Sequence, residues 1–444
     1  MPLHLLVIGA SGFIGRALAD QLRMQGNLAG QPIVLTGAGR KRPLNWPEST
    51  HWIDLDLQNI QGPADWQAAV AGQDIVINAV GIIRETRTQT FAQLHTRAPI
   101  ALWEAAAHAG VKRLVQISSL GASLDAQTAY ARSKAQADEA LWAIGTAHPN
   151  LTVSVVRPSL VYAPHGASTR LFLALAALPI HIGFKGTGSV QPVHSQDVID
   201  AVIAVLAHPS PPTLLNIAGP RPIQFLEYLA ALRSGLGLAS AVPLRLPLIF
   251  GRISAHIAHY VPGSLLTKDT WRMMVEGHQT EVAPLSALLG KPPRPAYTFT
   301  QPTLLAQVKF HLFQTLLRPV AISSMAIIWF GTVMASIYWP RASSLALLAA
   351  SGLPPSLQTP LFWLAIALDI VLGLSCLLGH WLRPAQRQGR WLIQIAVILT
   401  YTVILSLTQP AQWVHPFGPL LKNLPIFVLL GWLWLSEPSE ARAA

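Results

Sequence analysis

Tyr130 and Lys134 stand four residues apart in AYARSKAQADEAL, a stretch with helical patterning. On a helix the two share a face, which puts an ammonium beside a phenol. A neighbouring cation favours the phenolate and lowers the tyrosine pKa, making the hydroxyl a proton donor or acceptor near neutral pH. Ser118 and Ser119 close the preceding apolar run, LVQISSLGA, where one hydroxyl could hydrogen-bond a substrate carbonyl. A lone Y-x-x-x-K is common on solvated helix faces; its place after a serine pair and a glycine motif is what makes it specific.

That glycine motif lies in LLVIGASGFIGRALADQL, residues 5–22, with Gly9, Gly12 and Gly15 at G-x-x-G-x-x-G spacing. A strand turning tightly into a helix aims free N–H groups and the positive end of the helix dipole at one point, where a pyrophosphate can sit. Gly9 permits the turn, Gly12 lets backbone approach phosphate, and Gly15 lets helix and strand pack closely. The next strand-like run, IVLTGAGRKRP, ends in Arg40, Lys41 and Arg42 and has no acid. An acid there would take the ribose 2′-hydroxyl of NAD, whereas arginine accommodates the 2′-phosphate of NADP. Arg40 therefore makes NADP(H) the expected coenzyme, with NAD as the alternative.

The elements that must position these residues follow from alternation. Strand-like runs at Leu5–Ile8, Ile33–Thr36, Ile75–Ala79, Arg113–Ser118 and Val153–Arg157 alternate with helical stretches near 13–25, 64–71, 91–109, 130–146 and 197–207. This is the pattern of βαβ units, and it predicts an α/β fold with a doubly wound parallel sheet. Residues 220–300, rich in Pro and Gly, fit a small substrate lobe.

Composition demands a second environment. The 444 residues are 51% hydrophobic and 11% charged, with a mean hydropathy of +0.41, too apolar for a wholly soluble enzyme. Residues 319–340, 342–368 and 391–421 carry no Asp, Glu, Lys or Arg. Runs near 20 apolar residues match a bilayer crossing. Four spans are expected, at about 320–339, 361–380, 391–408 and 419–435, forming an all-α membrane domain over 319–436 after a linker at 301–318. Trp339, Trp381, Trp391 and Trp413 near the span ends read as interfacial anchors. Arg383, Arg387 and Arg390 fall on the same side as Lys309 and Arg318, so the positive-inside rule places both termini in the cytoplasm. No signal peptide is read before the first strand, so the expected location is a multi-pass protein of the cell inner membrane with its nucleotide-binding part cytoplasmic.

The net charge of +11 is spread out, without a basic block interleaved with aromatics. That argues against nucleic acid and for attraction to membrane lipid. Cys376 is the single cysteine, which excludes a disulfide within the chain and a cysteine zinc site. His256 and His259 lack a third ligand and read as surface or packing residues, so no metal is expected. Asp369 stands alone in an apolar span, where an ionisable group is costly unless paired, with His415 or Lys422 as its candidate partners.

With these pieces in place, residues 1–300 resemble an extended or atypical short-chain dehydrogenase/reductase, of the branch similar to the nucleotide-binding accessory subunit of complex I. The resemblance rests on IGASGFIG (8–15), NAVGI (78–82), QISSLGA (116–122), YARSK (130–134), RPSLVY (157–162) and QPVHSQDV (191–198). It implies a Rossmann fold, a nicotinamide cofactor and a catalytic set of Ser119, Tyr130 and Lys134. It also implies that Gly9, Ser11, Gly12, Phe13, Ile14 and Gly15 hold the pyrophosphate and that Asp56 and Leu57 lie beside adenine. Asn78, Ala79, Val80 and Gly81 would line the cofactor, with Pro158, Ser159, Leu160 and Val161 on the nicotinamide side. Residues 310–436 resemble the DoxX-like membrane family through HPFGPLLKNLPI (415–426) and the charge-poor spans around it. DoxX relatives are linked to quinone-coupled sulfur oxidation.

Two functions are compatible with this reading. One is a membrane-tethered NADP(H)-dependent oxidoreductase acting on a carbonyl, alcohol or quinone-like lipophilic substrate. The other is a non-catalytic nucleotide-binding subunit that stabilises or senses for a membrane redox partner.

Overall fold

The computed structural model describes residues 1–444 except 49, 165, 261–263, 339–340, 351, 415–417 and 438–444, so Trp339 and His415 lie outside the described residues. The chain divides into two compact units, Met1–Lys309 and Phe310–Ala444.

The first unit is built on an eight-stranded sheet. In chain order its main strands are β1 (Leu3–Ile8), β2 (Gln31–Gly39), β3 (His51–Asp54), β4 (Ile75–Asn78), β5 (Arg113–Ile117) and β6 (Thr152–Pro158). The strand Leu214–Ile217 adds to the far edge, beside β6. These strands pair in parallel, β3-β2-β1-β4-β5-β6, and only the two-residue strand Asn27–Leu28 runs antiparallel, against β2. Side chains alternate along β1: Leu5 and Val7 enter one core, Leu6 and Ile8 the other. All four are apolar because helices cover both faces of a parallel sheet. Helices α1 (Phe13–Gln25), α2 (Ala98–His108) and α3 (Ala129–Ala147) supply that cover. Between β1 and β4 the strand order reverses, leaving a crevice at their carboxyl ends where such sheets bind ligands.

A lobe caps this crevice. It contains α4 (Ala167–Ala177), the parallel ribbon of β7 (Ile180–Phe184) and β8 (Val242–Leu246), α5 (Phe225–Gly235), α6 (Leu248–His259) and α7 (Lys268–Glu276). Its core joins Tyr162, Leu173, Tyr228, Leu232 and Phe299 with Val308. Residues 301–318, expected as a linker, are helical from Pro302 onward, and Leu304, Leu305 and Val308 pack with the lobe core.

The second unit is helical throughout its main elements: α8 (Arg318–Tyr338), α9 (Arg341–Ala350), α10 (Pro355–Leu377), α11 (Pro384–Thr408) and α12 (Asn423–Leu435). Three helices are long and apolar enough to cross a membrane: Pro302–Tyr338, Pro355–Leu377 and Ala385–Thr408. The fourth expected span is shorter than predicted, since α12 has only 13 residues and a full crossing needs about 20. Gly418, at φ +49°, takes the backbone off the right-handed helical path ahead of it. The core of this unit packs Met325, Trp329, Leu372, Trp391, Leu430 and Leu433, while Ile327, Leu364 and Val371 face outward. Large apolar side chains on the outside are what lipid as solvent permits. Buried Gln394 accepts a hydrogen bond from Trp329 Nε1 at 2.9 Å. Glu437, just past α12, accepts from Arg318 and from Trp391 Nε1. Asp369 takes Thr332 as its partner, whose hydroxyl donates at 2.9 Å.

Candidate functional site

Gly9 follows β1 with φ +81°, and a Cβ added there would lie 3.0 Å from the carbonyl carbon of Ala79. At Gly15 an added Cβ would lie 2.2 Å from the Gly9 carbonyl oxygen, well inside contact distance. Gly12 is the N-cap of α1 and offers no side chain to its first turn, so the free N–H groups there remain available to an anion. Ser11 Oγ packs beside Gly39, 3.0 Å from where a Cβ would be. Arg40, one residue beyond, is exposed. A glycine cradle with unhindered backbone approach and a cation at the second strand's end fits a dinucleotide.

A cavity of about 530 Å³ opens from this cradle. Gly12, Phe13 and Ile14 line one end, Ala79, Val80 and Gly81 its side, and Ser118, Ser119, Tyr130, Lys134 and Pro158–Val161 its middle. The remaining expected contacts lie outside the lining. Gly9 and Gly15 shape the turn behind it. Asn78 is buried, donates to Gln116 Oε1 at 2.9 Å and accepts from the Val80 N–H at 3.1 Å, which fixes the bend of the strand end. The Asp56 carboxylate caps a short 3₁₀ turn by accepting from Gln58 N–H, and Leu57 is buried in the sheet core.

The chemistry-bearing residues come together around α3. Ser118 donates to Asp138 Oδ2 at 2.7 Å, whereas the buried Ser119 Oγ has no hydrogen-bond partner among the described residues. Lys134 is buried, and its ammonium donates to the carbonyls of Val80 (3.0 Å) and Ile117 (3.1 Å). Burial lowers its pKa to about 8, with the Asp138 carboxylate acting the other way. Tyr130 departs from the expected lowering: burial raises its pKa, with the nearby Ser119 hydroxyl drawing it down and the Asp138 charge adding to the rise. The reason is burial of the phenol, which outweighs the effects of its neighbours.

Two residues absent from the sequence reading organise this cluster. Asp138 continues the face of Tyr130 and Lys134 at the same four-residue interval, a signal that was present in the sequence. It is fully buried and bonds Arg157 through Nε at 3.0 Å and Nη2 at 2.9 Å. Burial raises the Asp138 pKa, while Ser118 and Arg157 oppose that rise. His95 lies under Tyr130, with ring centres 5.6 Å apart. Its Nε2 accepts from Ile82 N–H, so Nδ1 carries the proton and donates to Ser133 Oγ at 3.0 Å. Burial and the Lys134 charge lower its pKa to about 2, which keeps it neutral.

Beyond Tyr130 the wall is largely apolar. Leu171, Phe172, Phe225, Leu265, Met273 and Met274 line it, together with the polar residues Ser168, Gln191, Thr270 and His278. Gln191 is held by Gly219 and Thr280. His256 and His259 pack against Tyr260, and the described residues contain no cluster suited to a metal.

Residues 5–218 match the NAD dependent epimerase/dehydratase family, and residues 326–431 match the DoxX-like family. Over 218 residues the chain is 30% identical to mitochondrial NADH dehydrogenase (ubiquinone) 1 alpha subcomplex subunit 9 of Arabidopsis thaliana, covering 45% of this chain and 49% of the relative. It is 28% identical over 208 residues to ceramide reductase of Caulobacter vibrioides, covering 46% and 61%. The chain thus spans between about half and three fifths of the length of these curated relatives. Among solved structures, a nucleoside-diphosphate-sugar epimerase from Staphylococcus aureus aligns at TM-score 0.54 and 18% identity, over 67% of this chain and 99% of that one. UDP-glucuronic acid 4-epimerase from Bacillus cereus with NAD aligns at 0.51 and 16%, over 69% and 99%. At such identities these two show the fold alone. The chain joins an N-terminal domain similar to the NAD dependent epimerase/dehydratase family to a C-terminal DoxX-like domain with membrane-capable helices.

Proposed function

We propose that the chain is a membrane-anchored, NADP(H)-dependent oxidoreductase acting on a lipophilic carbonyl, alcohol or quinone-like compound. One observation carries the reading: the cavity that holds Ser119, Tyr130 and Lys134 is lined largely by apolar residues, among them Leu171, Phe172, Phe225, Met273 and Met274. Bound nicotinamide would supply or accept a hydride. Ser119 Oγ, beside the Tyr130 phenol, would hold the substrate oxygen. In reduction Tyr130 would give its hydroxyl proton to that oxygen and be reprotonated from water. Lys134 would bind cofactor hydroxyls and stabilise the phenolate left behind. Arg40 supports NADP(H) over NAD(H), since a charge-assisted bond to the 2′-phosphate is worth about 1.5–3 kcal/mol. The relative named ceramide reductase gives the substrate class precedent as a lipid.

The proposed location is a cell inner membrane, with the first unit and the loop holding Arg383 and Arg387 on the cytoplasmic side. The second reading, a nucleotide-binding subunit beside a membrane redox partner, is favoured by one fact: the ammonium of Lys134 is already engaged by the backbone carbonyls of Val80 and Ile117. Bound NADPH challenged with ketones and quinones of increasing chain length separates the two. The oxidoreductase reading predicts oxidation that rises with chain length and an NADPH preference lost in Arg40→Ala. Tight NADPH binding with no oxidation by any of them supports the subunit reading, and turnover of nucleotide sugars overturns the lipophilic assignment.

A further inference from the structure

Helix α6 is built inside out. Its buried positions are the small residues Gly251 and Ala255, and a Cβ at Gly251 would lie 1.9 Å from the Trp271 ring on α7. Its large apolar residues point away from the protein: Ile249, Phe250, Ile253 and Ile257 are each about half exposed or more, and Tyr260 beyond them is 68% exposed. At 3.6 residues per turn these five fall within an arc of about 100°, opposite Gly251 and Ala255. The ribbon leading into α6 extends this exposure, since Ile180 pairs with Val242 and Ile182 with Leu244, all four exposed. Solvated monomers do not ordinarily carry so contiguous an apolar patch.

The charges around the patch are cationic. Between residues 242 and 272 lie Arg245, Arg252, Lys268 and Arg272, all exposed, against the single carboxylate Asp269. Lys268 Nζ lies 5.6 Å from the Tyr260 ring. An exposed apolar stripe flanked by cations is the arrangement that lies in the headgroup region of an anionic bilayer. A bilayer is supplied by the same chain, whose first membrane-capable helix starts at Pro302. The inner face of α6 rests on α7, and α7 contributes Thr270, Met273 and Met274 to the cavity wall.

We propose that α6 and the β7–β8 ribbon form an interfacial docking face by which the substrate lobe lies on an anionic lipid surface. Two helices, α6 and α7, then separate lipid from the cavity. The inference rests on the membrane-anchored part of the proposed function and not on its redox chemistry.

The test uses the full chain with Cys376→Ala, a single environment-sensitive fluorophore at Ile253→Cys, and bilayers containing spin-labelled lipid. A second protein labelled at Leu364→Cys on α10 reports insertion, and Ile257→Cys repeats the measurement should Ile253→Cys lose its native melting transition. In phosphatidylglycerol bilayers the Ile253 label loses most of its emission to the lipid quencher. In phosphatidylcholine, or with Arg245, Arg252, Lys268 and Arg272 all changed to Gln, the quenching is largely lost. A label quenched at Leu364 but reached only by aqueous iodide at Ile253 overturns this inference alone. Shielding at Ile253 from both quenchers also overturns it and assigns the face to protein, a second copy if the shielding falls on dilution. No lipid quenching at Leu364 overturns the membrane-anchored reading itself.

Discussion

Lys134 holds a positive charge where burial disfavours it, and its pKa of about 8 sets a limit on the site's working range. Below that value the ammonium predominates; above it the neutral amine does. Any step that needs the ammonium in the free protein therefore declines above about pH 8, close to tenfold per pH unit in kcat/KM. Tyr130 cannot produce this limb, because burial moves its pKa upward, away from neutrality. Asp138 raises the Lys134 pKa, so Asp138→Asn moves the alkaline limb to lower pH. The same variant strands Arg157, and removing one partner of a buried ion pair costs about 3–5 kcal/mol, read as a lower melting temperature. A purely structural role for Asp138 would lower activity equally at all pH values and leave the limb in place.

At the scale of elements, the glycine turn is the most constrained feature. Gly15→Ala places a methyl group against the Gly9 carbonyl, so α1 must shift away from β1. Overpacking of this kind typically costs about 1–3 kcal/mol. The variant is expected to bind NADPH at least tenfold more weakly than the parent by fluorescence titration; unchanged affinity would mean that the turn does not cradle the nucleotide. This turn and the five strands around it were legible because apolar runs and glycine spacing are local signals. The strand His51–Asp54 was not, since it is a half-buried edge with only two apolar residues among four. Leu214–Ile217 is as short and follows a proline-rich turn, again at an edge. His95 gave no signal either, because its neutral state depends on Ile82 and Ser133, contacts that exist only once the chain is folded. Asp138 was readable by its spacing. The direction of the Tyr130 shift was not, because i, i+4 spacing fixes proximity on a helix but not how deeply the phenol is buried.

For the whole molecule, the two units have opposite surface rules. The first buries most of its large apolar residues, with the α6 face and the ribbon beside it as its main exposed apolar stretch, and the second displays them on helices long enough to cross a bilayer. A truncation meant to isolate the first unit must keep Val308, since it belongs to the lobe core. The central claim of the proposal is that hydride from NADPH reduces a lipophilic compound on this chain while Tyr130 supplies the proton. Its most direct test is a single turnover: the full chain in lipid nanodiscs is loaded with NADPH, mixed with a long-chain ketone or quinone, and followed by nicotinamide fluorescence. The account predicts loss of the NADPH signal in the parent and a rate roughly 10²–10⁴-fold lower in Tyr130→Phe, with NADPH affinity unchanged. NADPH that stays bound and reduced in the parent, or is oxidised equally fast in Tyr130→Phe, would contradict it.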